Sequence, residues 1–250
     1  MNDKFLFFDT ETTDVQSKDI IQLAFVTSDG KEFNEYFKPE QEISFGAMAV
    51  HHITPEFLED KPLFKSRMIQ DSSAMTLFSE IPLKVYLNNL AQEYIWVAHN
   101  AEFDMEVLKK KGVEIPKYIC TLKVARNIFG EEDGKCDLES YSLQYLRYYL
   151  GLYKQEKDGG EITAHDALSD VLVLKNLFEY MRKVSTLSTE NMMIISKEPQ
   201  YMRTLTFGKY AGHSLEDLVK IDREYLEWLR ENASDKKDLV YNIDRVLSLG

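Results

Sequence analysis

Two compact apolar runs, residues 5–8 and 94–98, pass without a spacer into segments that carry acidic side chains. Short runs of this kind read as central strands. The first leads into Asp9-Thr10-Glu11, the second into His99-Asn100 with Asp104 shortly after. Residues 20–27 form another strand-like run, and Asp29-Gly30 is a strong hairpin signal. Residues 31–37 then alternate polar and apolar as a returning strand. The chain is therefore expected to open with an antiparallel meander.

After the meander the pattern changes to strands alternating with helices. Thr54-Pro55 marks a helix start, and a helix from about Ala101 stops at Gly112, after three lysines. Residues 137–149 and 166–183 have helical spacing, with Leu168, Val171, Leu172, Leu174, Phe178 and Met181 expected on the buried side of the second. A meander followed by such alternation predicts an α/β fold, a mixed sheet flanked by helices. Residues 66–77 are polar and irregular and read as a surface insertion. Three regions are expected: a main domain over 1–183, a linker over 184–205, and a small appended domain over 206–250. In the last, Phe207-Gly208-Lys209 reads as a turn, Ser214 with Asp217 as a capping box, and Tyr225, Leu226, Trp228 and Leu229 as an apolar cluster with an ordinary packing role.

Composition narrows the function classes. No apolar run is long enough to cross a membrane, and residues 1–4 lack the features of a secretory signal. The two cysteines, Cys120 and Cys136, form no C-x-x-C pair, which argues against a thiolate zinc site and fits a reducing, cytoplasmic location. A net charge of −12 argues against broad electrostatic wrapping of nucleic acid. It leaves room for a nucleic-acid enzyme, because bound divalent cations reverse the local field where acidic groups converge. The lysine run at 109–111 reads as the solvated end of a helix.

Three patches carry the chemistry. Alternate residues of a strand share a face, so Asp9 and Glu11 emerge side by side, and two like charges at that spacing are best tolerated around a cation. Asp104 falls in the first turns of a helix. His165 and Asp170, five apart, would be separated by about 140° around a regular helix. The pair makes sense with His165 on a loop ahead of the helix, after the flexible Gly159-Gly160, and Asp170 one turn in. Four carboxylates of this kind can hold two cations about 3.5–4 Å apart for in-line attack at phosphorus. A histidine with a pKa of about 6.5 can take a proton at neutral pH.

These patches resemble the motifs of the DEDDh branch of 3′-to-5′ exonucleases, the DnaQ-like proofreading family. D-T-E-T-T at 9–13, H-N-A-E-F-D at 99–104 and H-D-A-L-S-D at 165–170 match its three motifs. A-V-H-H-I-T-P-E-F at 49–57 resembles its substrate-side loop, and C-T-L-K-V-A-R at 120–126 its following segment. The resemblance covers roughly residues 4–183 and implies an RNase H-like, five-stranded mixed sheet. It implies that Asp9, Glu11, Asp104 and Asp170 ligate two divalent cations, Mg²⁺ or Mn²⁺, with His165 as general base. It also implies that Thr12, Thr13, His52 and Asn100 contact the substrate. The family usually has glycine where this chain has Asp14, which adds negative charge near the entrance. The segment 206–250 resembles the C-terminal extension of exonuclease X-type enzymes, with Lys209 and His213 as candidate phosphate contacts.

The expectation is thus a nuclease removing nucleoside monophosphates from the 3′ end of DNA, single-stranded or frayed, with nucleic acid as partner and no membrane. An RNA-directed enzyme of the same family is one alternative, and a catalytically silent end-binding adaptor is another. The absence of H-E-x-x-H and of paired cysteines speaks against a zinc hydrolase. The oligomeric state is open.

Overall fold

A computed structural model describes residues 3–70, 80–130, 138–155, 167–199, 202, 204–205, 207–233 and 236–249. His165, Asp166, Gly159, Gly160 and Cys136 lie outside the described residues, as does most of the expected insertion at 66–77.

The meander consists of β1 (Phe5–Thr12), β2 (Ile20–Thr27) and β3 (Glu32–Tyr36). A small antiparallel ribbon, β4 (Met68–Gln70) and β5 (Glu80–Pro82), stands apart from the main sheet. Two parallel strands complete that sheet: β6 (Ile95–Ala98) and β7 (Tyr118–Cys120), in the order β3-β2-β1-β6-β7. β1 therefore lies at the centre, antiparallel to β2 and parallel to β6. It runs four residues past its apolar stretch, because Asp9 and Glu11 alternate with the buried Thr10 and Thr12 and keep the pleat going.

The helices are α1 (Phe45–His51), α2 (Pro55–Leu58), α3 (Leu83–Glu93), α4 (Ala101–Lys110), α5 (Thr121–Phe129) and α6 (Leu143–Tyr149). They continue as α7 (Ala167–Val184), α8 (Thr189–Lys197), α9 (Leu215–Ile221), α10 (Arg223–Asn232) and α11 (Lys237–Leu249). Alternation along β1 divides the core in two. Leu6 and Phe8 join Trp96 and the apolar sides of α3 and α4, with the Phe8 and Trp96 rings 4.9 Å apart. Phe5 and Phe7 join Val97, Ile119 and the buried side of α7, where Phe178 lies 4.9 and 5.5 Å from the two rings. Leu172, expected on that buried side, is 40% exposed; the buried stripe follows Ala167, Asp170, Val171, Leu174, Phe178 and Met181 instead. No helix among the described residues is long and apolar enough to cross a membrane.

Several terminators act as expected. Thr54 caps α2, and Gly112, in the left-handed region at φ 80°, ends α4 while Val113 N–H returns to the Leu108 carbonyl at 3.0 Å. The α6 helix begins later than predicted, at Leu143, because Ser142 caps it by accepting the Tyr145 N–H.

The linker expected over 184–205 is the larger departure. It contains α8, whose Met192 and Ser196 are buried. The Ser196 hydroxyl accepts the Cys120 N–H of β7 at 2.7 Å and donates to the Met192 carbonyl. The chain divides into two compact units, Met1–Ser196 and Lys197–Gly250. The second unit packs Leu215, Leu218, Leu226, Leu229, Ile243 and Val246 into its own core. Ser214 caps α9 as expected by accepting the Asp217 N–H at 3.0 Å. Trp228, expected as ordinary packing, is 54% exposed, since it lies one residue off the Leu226 and Leu229 stripe.

Candidate active site

The pleat of β1 sets the site. Asp9 pairs with Ala24 and Glu11 with Gln22 in the β1–β2 ladder, so both carboxylates leave the same face. Asp170 meets them from the first turn of α7. Single carboxylate oxygens of Asp9, Glu11 and Asp170 lie within 4.8 Å of one another. Three acidic groups, far apart in sequence, thus converge as hard oxygen donors. That is the donor set magnesium or manganese takes, and a cation between them offsets their mutual repulsion.

A chain of two hydrogen bonds leads to Asp170. Gln144 of α6 donates from Nε2 to Asp170 Oδ1 at 2.6 Å. Arg147 Nη1 donates to Gln144 Oε1 at 3.1 Å. A guanidinium has only donors, so the amide oxygen must face Arg147 and the amide NH₂ must face Asp170. Behind them Gln22, fully buried on β2, accepts the Ala167 N–H at 3.4 Å and meets the start of α7.

Asp104 stands outside the group of three. β1 pairs with β6 only as far as Phe7 and Val97. Further along, the Thr10 N–H and Thr10 hydroxyl both go to Asp104 Oδ1, at 3.0 and 2.6 Å. Burial pushes the Asp104 carboxyl up to about 7, against the Thr10 hydrogen bonds that pull it down. Thr10 faces away from Asp9 and Glu11, yet it ties the second acidic motif to the first.

The segment after β1 is a tight polar turn. Thr13 is completely buried; its hydroxyl meets Ser17 at 2.8 Å, its N–H goes to the Asp19 carbonyl and its carbonyl accepts from Ser44 N–H. Thr13 thus anchors the turn and offers no exposed polar group, and Thr12 is also buried, its hydroxyl donating to the Asp14 carbonyl at 3.1 Å. The Asp14 carboxylate accepts the backbone N–H groups of Gln16 and Ser17 at 2.5 and 2.7 Å and the Ser17 hydroxyl, which together hold its pKa below the usual range. The carboxylate therefore stays ionised and hydrogen-bonded within the turn. The lysines at the end of α4 do more than face solvent. Lys110 reaches the Gln16 and Ser17 carbonyls, and Lys111 pairs with the buried Asp19 at 2.5 Å.

His52 and Asn100 are exposed, both in the left-handed region, at φ 59° and 63°. His52 ends α1, whose capping residue Ser44 is joined to Thr13; Asn100 precedes α4 and lies four residues from Asp104. His99 has a structural post. Its Nε2 donates to the Tyr141 carbonyl and its Nδ1 meets the Thr121 hydroxyl, each at 2.9 Å, while burial lowers its pKa to about 4. Sequence reasoning missed Thr10 and Gln144. Thr10, between two acids in a strand, looked like a pleat spacer, and its tie to Asp104 appears only once α4 packs beside β1. Gln144, an amide on an ordinary amphipathic helix, gave no signal.

The chain is similar to known proteins over most of its length. Over 232 residues the chain is 32% identical to Exodeoxyribonuclease 10 of Escherichia coli strain K12, covering 90% of this chain and 89% of the relative. It is 29% identical to the DNA polymerase III subunit epsilon of Rickettsia prowazekii strain Madrid E, over 69% of this chain and 71% of that one. Among solved structures, Exonuclease X in complex with 5′ overhanging duplex DNA superposes with a TM-score of 0.53 at 27% identity, covering 77% of this chain and 99% of that one. Exonuclease I, at 17% identity and a TM-score of 0.53 over 74% of this chain and 43% of its own, shares the fold. Residues 205–234 match the Exodeoxyribonuclease X-like C-terminal family. Residues 6–178, which hold the sheet and its three converging carboxylates, match the Exonuclease family, and the chain belongs to it.

Proposed function

We propose that the protein is a divalent-cation-dependent 3′-to-5′ exonuclease of the DEDDh type that releases nucleoside monophosphates from single-stranded or frayed 3′ ends of DNA. The convergence of Asp9, Glu11 and Asp170 within 4.8 Å carries the reading. DNA as substrate is supported by the likeness to Exodeoxyribonuclease 10 and to an Exonuclease X bound to DNA.

Asp9, Glu11 and Asp170 would hold the cations, with Asp104 as the fourth acidic group. When bound, a pair of such cations supplies Lewis acidity, activating water for in-line attack and stabilising charge on the leaving oxygen. The chain's own residues prepare that chemistry. Gln144 donates to Asp170 and helps to orient it, and Thr10 holds Asp104 against the central strand. His165, five residues ahead of Asp170 in the third motif, takes the proton from the attacking water. His52, Asn100 and Thr12 are the proposed contacts to the terminal nucleotide. Thr13 supports the turn beside them.

The test is digestion of a 5′-labelled DNA oligonucleotide in magnesium. The wild type is expected to give a ladder shortened from the 3′ end, and Asp9→Ala to leave the strand intact. Equal stability of the strand with both proteins would instead indicate a binding protein without turnover, and a matched RNA strand sets the sugar preference.

A further inference from the structure

The helix that supplies Gln144 carries an aromatic face that the acidic centre does not use. From 140 to 155 the chain has five tyrosines, Arg147 and Lys154, and no aspartate or glutamate, in a protein of net charge −12. Tyr148, Tyr149 and Tyr153 are 60%, 57% and 42% exposed. Contiguous exposed rings of this kind mark interaction surfaces.

The row starts at the acidic centre and leads outward. Gln144 touches Asp170, and Arg147 touches Gln144. The Arg147 guanidinium lies 5.2 Å from the Tyr148 ring centre, and the Tyr148 and Tyr153 rings are 5.6 Å apart. The Lys154 ammonium follows, 5.8 Å from the Tyr153 ring centre. Tyr148 is one helical turn beyond Gln144, about 6 Å along the axis. That is comparable to one nucleotide step of an extended strand. Arg147 itself is buried and acts as the anchor of the row, leaving Lys154 as its exposed cation.

We infer that α6 and the turn after it form a stacking track for the bases just upstream of the terminal nucleotide in a single-stranded 3′ tail. Tyr148 and Tyr153 present their rings to successive bases, and Lys154 meets the backbone phosphate. The inference rests on the exonuclease reading of the centre and extends it to the strand that feeds it. Lys154 supplies an exposed cation beside the rings, and the contacts through Gln144 and Arg147 join the track to Asp170. Rings can stack only on bases freed from a duplex, and aromatic stacking tolerates any base, so the track favours single strands without reading sequence.

The test measures affinity for fluorescent DNA strands of three and ten nucleotides, with calcium replacing magnesium to suppress turnover. Wild type, Tyr148→Ala/Tyr153→Ala, Tyr148→Phe/Tyr153→Phe and, as a control in the second unit, Trp228→Ala are compared, each checked for an unchanged melting transition. The alanine pair is expected to lose about tenfold or more in affinity for the longer strand and most of the advantage of length. The phenylalanine pair is expected to restore both. A folded alanine pair that binds the longer strand within twofold of wild type overturns the inference and gives the face to another partner; so does a loss that phenylalanine fails to repair. A wild type that neither cleaves nor binds any strand overturns the exonuclease reading itself, a separate outcome.

Discussion

Gln144 helps to orient Asp170, and Arg147 orients Gln144. Gln144 donates to the Asp170 carboxylate at 2.6 Å, and Arg147 dictates which end of the amide faces it. Partners of this kind orient metal-ligating carboxylates, and losing them typically costs 10–100-fold in metal affinity or activity. Gln144→Leu keeps the volume and removes the donor. It is expected to raise the magnesium concentration for half-maximal cleavage about tenfold, with melting temperature little changed. A magnesium titration reads this, and an unchanged midpoint would remove the positioning role. Asp9, Glu11 and Asp170 were legible because acids at strand ends and helix starts break an otherwise apolar pattern. Gln144 and Thr10 were not, because their roles exist only after distant segments meet. Thr13 was legible as part of a motif, but whether its groups face solvent or the turn is decided by Ser17, Asp19 and Ser44.

Between elements, fastening falls to a few polar side chains. His99, just past β6, joins the first residue of α5 to the stretch leading into α6, through Thr121 and Tyr141. Because a carbonyl only accepts, Nε2 carries the proton, and the neutral ring accepts from Thr121 at Nδ1. Burial lowers the folded pKa to about 4, whereas an unfolded histidine titrates near 6.5. Between those values the unfolded chain binds a proton that the native state refuses. This contribution to stability is therefore complete above about pH 6.5 and is lost as pH falls towards 4. His99→Gln keeps a donor and an acceptor without the titration. Denaturation midpoints taken across that window are expected to fall less steeply for the variant than for wild type; parallel slopes would sink the assignment. Sequence patterns located the strands and most helices but not these ties. The apolar run at 5–8 marked only the part of β1 that faces two cores, and the strand continued because its acids alternate with buried threonines.

For the molecule as a whole, the decisive boundary is the end of α8. Composition placed the limit of the main domain at 183, because residues 184–201 show neither a long apolar stripe nor a strong cap. The compact unit instead continues to Ser196. The reason lies at the edge of the sheet. β7 is the last strand, and its Cys120 N–H, buried, is satisfied by the Ser196 hydroxyl, while Met192 fills the same side of the core. Removing the helix exchanges that hydrogen bond for one to water, a net loss of about 0.5–1.5 kcal/mol. It also exposes the surroundings of a methionine whose burial contributes about 1.5–3 kcal/mol. Against a total of about 5–15 kcal/mol, that loss is large. A chain ending at Glu198 is expected to fold and to shorten DNA in magnesium. One ending at Lys183 is expected to melt well below it or to aggregate. Thermal melts of the two truncations side by side decide the matter. Coincident transitions would mean that α8 is a passenger on the nuclease unit, and would return the boundary to where composition first put it.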